Sequence, residues 1–194
     1  ELGKIDLGIV GEPTQMDMAT AEKGLMVLDG VSKGKSGHAA REEGINAIYE
    51  ALEDIEWFRT YQFSKISEKL GPVKMSLTQI NAGSQHNVVP AEAHFVVDVR
   101  TTDAYSNQET FEIIQQATKS EIKARSFRLN SSGIDPDHPL VQKAQSIGMP
   151  TFGSSTLSDQ ALMPFSTGKI GPGDSARSHT ADEFICISEI ETAI

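Results

Sequence analysis

The first apolar run of the chain predicts a buried strand. Residues 5–10 are mostly apolar, and the Gly-Glu-Pro-Thr sequence at 11–14 interrupts the run. Pro13 restricts Glu12 to an extended conformation. Glu12 is therefore expected at the carboxyl end of a strand, where open α/β sheets place ligand-binding groups, although a surface turn would hold such an acid equally well.

The middle of the chain alternates between strand-like and helical spacing of its apolar residues. The order is strand-helix-strand-strand-helix-strand, over residues 24–33, 46–58, 73–80, 93–100, 110–118 and 121–129. This order predicts a ferredoxin-like arrangement, in which two helices cover one face of a four-stranded antiparallel sheet. The last strand is expected at an edge, and the acids of the first helix are expected to face solvent. Self-association into a dimer would cover the open face or edge of the sheet.

After the middle segment, helices and strands alternate again. A helix is predicted over 140–147, followed by a strand from Thr151 and a short helix capped at Ser158. This alternation is typical of α/β proteins and fits the first strand better than the middle segment. We therefore expect parts of one α/β domain with an α+β domain inserted between them, over 1–22 and 130–194 for the first and 23–129 for the second.

A Gly-Pro-Gly loop at 171–173 leads to a histidine. The run at 168–170 before it is strand-like, and Thr180 with Glu183 could form the capping box of a helix that starts directly after His179. A histidine fixed between a tight loop and a helix can direct one ring nitrogen at a metal ion. A structural histidine at a helix start is the alternative.

Composition narrows the class of protein. Hydrophobic residues make up 38% of the 194 residues and charged residues 23%, which is typical of a globular chain. The net charge of -10 argues against nucleic acid or an anionic membrane as the main partner. No apolar run approaches the ~20 residues of a membrane span. The single cysteine, Cys186, is expected in the core, and its lack of a disulfide partner fits the reducing cytoplasm.

Two kinds of hydrolytic site can be weighed on residue types. Ser154, Ser155, Asp159 and His179 include the groups of a catalytic triad, but no Gly-x-Ser-x-Gly elbow accompanies them. Glu12 and His179 lie in the two segments assigned to one domain, and a carboxylate with an imidazole suits Zn²⁺. Two ligands do not complete a metal site, so further ligands must come from elsewhere.

Six motifs follow one another along the whole chain. They are Gly-Glu-Pro-Thr at 11–14, Ala-Glu-Lys-Gly at 21–24, Gly-Lys-Ser-Gly-His-Ala-Ala at 34–40, His-Asn-Val-Val-Pro at 86–90, Asp-Val-Arg at 98–100, and Gly-Pro-Gly at 171–173 with Ser-His-Thr at 178–180. In this order they resemble the acetylornithine deacetylase / succinyl-diaminopimelate desuccinylase metallopeptidase family, most of all its acetylornithine (succinylornithine) deacetylase branch. The resemblance implies an α/β catalytic domain with an inserted ferredoxin-like lid, and a homodimer joined through the lids.

The resemblance also implies a site with two zinc ions about 3.5–4 Å apart. Glu12 would bind one ion and His179 the other, and Co²⁺ could replace zinc. His38 would reach from the lid into the site of the partner subunit and stabilise the oxyanion of the reaction.

Four further residues are expected to bind a small N-acyl amino acid. Asn87 and Arg100 match lid positions that hold the substrate, and the planar fork of an arginine suits a carboxylate. A turn asparagine and a salt-bridged strand arginine are the structural alternatives. Gly171 and Gly173 would form a backbone cradle for the substrate's carboxylate.

One departure from the family pattern is large. The family's first metal histidine, its bridging aspartate and its pair of glutamates precede the Gly-Glu-Pro-Thr segment, and this sequence has none of them. We therefore expect a truncated part that is inactive alone, from an enzyme that removes an acetyl or succinyl group from ornithine in arginine biosynthesis. The alternatives are a desuccinylase or dipeptidase of the same family, or a non-catalytic homodimerising module.

Overall fold

The computed structural model describes residues 3–41 and 43–194, which form two main sheets. The strands are β1 (Leu7–Val10), β2 (Met18–Glu22), β3 (Met26–Lys33), β4 (Gly37–His38), β5 (Lys74–Ala82), β6 (Val88–Val89), β7 (Glu92–Arg100), β8 (Glu121–Ala124), β9 (Ser132–Gly133), β10 (Thr151–Ser154) and β11 (Ser166–Lys169). The α-helices are α1 (Ala47–Thr60), α2 (Asn107–Ala117), α3 (Pro139–Ser146) and α4 (Ile187–Thr192). Short 3-10 helices occupy Asp159–Leu162 and Ser175–Arg177.

The ferredoxin-like unit comprises β3, α1, β5, β7, α2 and β8, in the predicted order along the chain. Its sheet is antiparallel throughout, with the strand order β5-β7-β3-β8. This confirms the predicted arrangement and the edge position of β8, which ends at Ala124 rather than at residue 129. Alternate residues of β3 and β7, including Leu28 and Val97, are fully buried, as expected for a sheet covered on one face.

Each sheet has its own hydrophobic cluster. In the ferredoxin-like unit it includes Leu28, Phe58, Phe95, Val97, Val99 and Ile114. A smaller cluster joins Met18, Ile134, Val141 and Ala144 between the other sheet and α3. Two clusters are compatible with the predicted division of the chain into two domains, whose boundaries stay a prediction.

The prediction that the acids of α1 face solvent is wrong for one of them. Asp54 is 3% exposed, and its carboxylate accepts the backbone N–H of Lys119 at 3.0 Å and of Ser120 at 2.7 Å. Buried backbone donors require acceptors. The carboxylate supplies them at the turn between α2 and β8, so Asp54 fixes that turn instead of solvating the helix.

The second sheet is mixed and has the order β1-β11-β2-β10, with β9 beside β2. β1 and β11 are parallel, so that Val10 and Lys169 end side by side. β2 is parallel to β10 and antiparallel to β11. The sequence pattern did not predict β2, because Met-Ala-Thr-Ala-Glu lacks the large β-branched and aromatic residues of a typical strand, although all five residues are buried.

The helix predicted directly after His179 does not form. The hydroxyl of Thr180 donates to the carbonyl of Arg177 at 2.7 Å, and Glu183 accepts the N–H of His179 at 3.2 Å. Neither contact is the capping bond of a helix that starts at residue 180. The helix α4 begins only at Ile187. Cys186 is exposed at the start of α4 rather than in the core, because α4 has no buried residue among those the structure describes. None of the described helices is long and apolar enough to cross a bilayer.

Candidate functional site

Hydrogen bonds join the loop after β1 to the loop after β11. The backbone N–H groups of Thr14 and Met16 both donate to the carbonyl of Gly171 at 3.1 Å, and that of Gln15 donates to Gly173 at 2.8 Å. Gly171 in turn donates its N–H to the Thr14 hydroxyl at 3.1 Å. The two loops that carry the Glu12 and His179 motifs are therefore one connected structure.

Glycine is required at positions 171 and 173 of the second loop for two different structural reasons. A Cβ on Gly171 would lie 2.7 Å from the carbonyl oxygen of Glu12, which leaves no room for a side chain. Gly173 has a φ of 89°, a conformation that favours glycine. Both glycines thus shape the loop that holds Glu12 in place, and their binding of a substrate carboxylate stays a prediction.

Glu12 and His179 line the same cavity of about 350 Å³. Two further carboxylates, Asp17 and Asp174, also line it, although neither was predicted as a site residue from the sequence. His179 is exposed and has a φ of 62°, in the left-handed region that a residue with a Cβ rarely adopts, and Gln15 and Met16 in the loop after β1 share this conformation, with φ of 56° and 65°. Backbone strain of this kind concentrates at functional sites. It therefore marks the two loops that carry Glu12 and His179 as a candidate functional site.

The cavity has donors of the right type for a metal ion but too few of them. Imidazole and carboxylate are both common zinc ligands, and a zinc site takes three or four protein ligands. Within 3–41 and 43–194, no group of three or more His, Cys, Asp and Glu side chains is arranged to hold a metal ion. Glu12 and His179 could therefore contribute to such a site only together with other ligands.

His38 is in β4 and Asn87 directly precedes β6, the strand that pairs with β4, and neither residue lines this cavity. His38 pairs with Val88, and the N–H of Ala39 donates to the carbonyl of Asn87 at 3.0 Å. The Nδ1 atom of His38 accepts the N–H of Ala40 at 3.1 Å. In a neutral imidazole this leaves the proton on Nε2. The exposed ring can therefore donate a hydrogen bond from Nε2 to a ligand.

Arg100 is at the end of β7, and a carboxylate already contacts its guanidinium. Its Nε and one terminal nitrogen donate to the two oxygens of Asp98, at 2.7 and 3.1 Å. The arginine side chain is 31% exposed. Arg100 thus forms the salt bridge that was the structural alternative to substrate binding. A substrate carboxylate would have to bind the other N–H groups of the guanidinium or displace Asp98.

A buried ion pair beside the cavity was not predicted from the sequence either. Lys169, a cavity-lining residue, is 3% exposed, and its Nζ lies 3.2 Å from the carboxylate of the fully buried Glu22. The one sign of this pair in the sequence is a lysine between Gly168 and Ile170, at the end of a strand-like run where an apolar residue is expected. Its partner could not be identified without knowing that β2 is a buried strand.

Comparison with known proteins gives a family match and several relatives. Residues 20–126 match the peptidase dimerisation domain of the M20 family. A Proteus mirabilis protein named acetylornithine deacetylase is 28% identical over 211 residues, which cover 96% of this chain and 53% of that protein. An Aspergillus flavus protein named as a probable carboxypeptidase is 26% identical over 204 residues, covering 96% and 49%.

Among solved structures, a Bacillus subtilis protein described as a dinuclear metal binding peptidase from the M20 family has a similar fold. The TM-score is 0.66 at 15% sequence identity, and the match covers 97% of this chain and 54% of that one. The chain thus spans about half the length of the curated relatives and of this structure.

Proposed function

The chain belongs to the M20 peptidase dimerisation-domain family, and on this premise we propose that it is part of a metal-dependent amide hydrolase. One observation carries the proposal: Glu12 and His179, far apart in sequence, line a single cavity, and His179 adopts a strained backbone conformation there. In this proposal the mixed sheet belongs to the catalytic domain, over 1–22 and 130–194. The ferredoxin-like unit, over 23–129, is the lid.

Glu12 and His179 are proposed to bind two metal ions together with ligands from outside this chain. Zinc fits a carboxylate and an imidazole, and Co²⁺ accepts the same ligands. Bound metal ions of this kind polarise a carbonyl group and lower the pKa of water towards neutrality. The similar fold of the Bacillus subtilis protein, itself described as a dinuclear metal binding peptidase, supports a site with two ions.

The proposed reaction removes an acetyl or succinyl group from the α-nitrogen of ornithine, in arginine biosynthesis in the cytoplasm. The name of the Proteus mirabilis relative supports this substrate. A carboxypeptidase or dipeptidase of the same family is the second candidate, since the Aspergillus flavus relative matches about as well and is named as a probable carboxypeptidase. Both candidates break an amide bond, so they share the site and differ in substrate.

A homodimer through the lids is the proposed assembly. Tyr49 and Leu52 are 68% and 50% exposed on one face of α1, which packs beside the edge strand β5. Ile80 of β5 is 52% exposed and pairs with Phe95, so it lies on the same face of the sheet as the helix. Apolar side chains beside an unpaired strand edge are suited to contact a second copy.

His38 is proposed to act in the site of the partner subunit. Its Nε2–H is available as a donor, and His38 does not line the cavity of its own chain. Such a donor stabilises the oxyanion that forms when the amide is attacked, which is worth about 3–4 kcal/mol of the barrier. Asn87 and Arg100 are proposed to hold the substrate from the same lid, and Gly171 and Gly173 to contact its carboxylate.

A substrate comparison with the metal-loaded full-length gene product tests this function. N-acetylornithine, N-succinylornithine and a dipeptide would be assayed for release of the free amine. We expect the highest kcat/KM with one of the two acylornithines. Faster cleavage of the dipeptide would favour the peptidase, and the absence of any amide hydrolysis would contradict the proposal.

A further inference from the structure

The buried pair of Glu22 and Lys169 is connected to the loop that follows β10, here taken from Ser154, the last residue of that strand, to Ser158. The Nζ atom of Lys169 donates to the Ser154 hydroxyl at 2.9 Å and contacts the hydroxyl and the carbonyl of Thr156 at 3.3 and 3.5 Å. Glu22 accepts the backbone N–H of Ser158 at 3.1 Å and its hydroxyl at 2.8 Å. The two charged groups thus hold residues 154–158 at both ends.

The same loop forms one wall of the cavity that contains Glu12 and His179. Ser154, Thr156 and Leu157 line that cavity, as does Lys169. Glu22 also accepts a hydrogen bond from Ser132 at 3.1 Å, which ties β9 to the same group. The ion pair therefore connects three strands of the mixed sheet to the cavity wall.

Stability alone does not account for a charged pair at this position. Removing two charges from water is costly, and well-packed apolar residues of similar volume are often as stable or more so. An apolar pair, however, could not form the hydrogen bonds that Glu22 and Lys169 make to this loop. The donors of Ser158 and Ser132 would then lose their acceptor, and the 154–158 loop would be free to shift.

We propose that Glu22 and Lys169 are positioning residues that set the shape of the substrate cavity by fixing the 154–158 loop. For the choice of substrate this rests on the proposed function, because the cavity wall is then the surface that meets the group being recognised. Neither residue takes part in bond breaking. Their loss is expected to weaken substrate binding, while the chemical step changes little.

Steady-state kinetics and hydrogen exchange of the full-length, metal-loaded protein test this proposal together. In Lys169→Met we expect KM for the preferred substrate to rise about tenfold or more with kcat within about threefold, the signature of lost ground-state binding. Backbone amides of residues 154–158 should exchange about tenfold faster, while those of β3 and β7 keep their rates. Ser158→Ala leaves the ion pair in place and removes the hydroxyl that donates to Glu22 and accepts the N–H of Gln160. It should change KM and loop exchange in the same direction as Lys169→Met, but by less.

The matched control is the exposed pair of the same residue types in the ferredoxin-like unit. Lys33 and Glu92 lie 2.6 Å apart with side chains 52% and 47% exposed, and Lys33→Met should leave KM and loop exchange unchanged. Unchanged loop exchange in both folded test variants would overturn the proposal. Faster loop exchange with an unchanged KM would overturn the claim on substrate recognition. If the wild type hydrolyses no amide, the proposed function fails, and the exchange rates still decide whether the pair fixes the loop.

Discussion

Gly171 lies directly against the backbone of Glu12. A Cβ at Gly171 would be 2.7 Å from the carbonyl oxygen of Glu12 and 3.2 Å from its nitrogen, and neither backbone atom can rotate away. The same glycine accepts hydrogen bonds from Thr14 and Met16. The Gly-Pro-Gly loop thus fixes the backbone that carries Glu12, in addition to leading to His179.

Gly171→Ala should therefore displace Glu12. We expect the free energy of unfolding to fall by about 1–3 kcal/mol because of overpacking. Metal affinity of the full-length protein should fall about 10- to 100-fold, as when a residue that orients a ligand is lost. Thermal unfolding and metal titration measure the two effects. Gly11→Ala is the control, since a Cβ there meets no atom within 4 Å, and an equal loss in both variants would contradict the proposed contact.

The backbone strain at His179 predicts that stability and function can be separated. Both His179→Gly and His179→Ala remove the imidazole, so both should lose metal affinity. Glycine adopts the observed φ of 62° without the steric cost to a residue with a Cβ. His179→Gly should thus be more stable than His179→Ala by about 1 kcal/mol in denaturant unfolding. Equal stabilities would show that the left-handed conformation is not retained in solution.

The proposed dimer surface predicts which apolar side chains are needed for association. Leu52→Glu places a charge on the exposed face of α1 beside β5. We expect the dimer Kd to rise at least about 30-fold, corresponding to about 2 kcal/mol for a central interface residue. Light scattering across a concentration series measures this. Ile147→Glu is the matched control, because Ile147 is 62% exposed at the end of α3, outside the ferredoxin-like unit. Dissociation in Ile147→Glu alone would place the interface elsewhere.

Action of His38 across the dimer can be tested by mixing two inactive variants of the full-length protein. A Glu12→Ala subunit retains His38, and a His38→Ala subunit retains Glu12. A mixed dimer then has one complete site if His38 acts on its partner, so an equal mixture should recover about a quarter of wild-type activity. No recovery from confirmed mixed dimers would mean that His38 acts within its own subunit.

The fold of the ferredoxin-like unit could be predicted because its periodicity is clear. Buried Phe95, Val97 and Val99 alternate with less buried residues on β7, and α1 repeats its buried residues at helical spacing. Prediction failed where a side chain serves a distant backbone group. Asp54 has the spacing of a surface acid, although it accepts two N–H groups from another part of the chain.

The candidate site could be predicted only in part. Glu12 and His179 were found from their motifs, and the parallel pairing of β1 with β11 brings their loops together. Glu22 and Lys169 were missed, because the importance of each depends on the other and on the burial of β2. A pairing between residues so far apart in the chain has no local signal in the sequence.

The most direct test of the central claim is a metal titration of the full-length gene product after chelation. We predict that hydrolysis of the preferred acylornithine returns in step with bound zinc, up to about two ions per subunit. Glu12→Gln and His179→Asn should each bind less metal and lose activity, while asparagine tolerates the left-handed backbone at residue 179. Full turnover by the metal-free protein, or wild-type metal content and activity in both variants, would contradict the account.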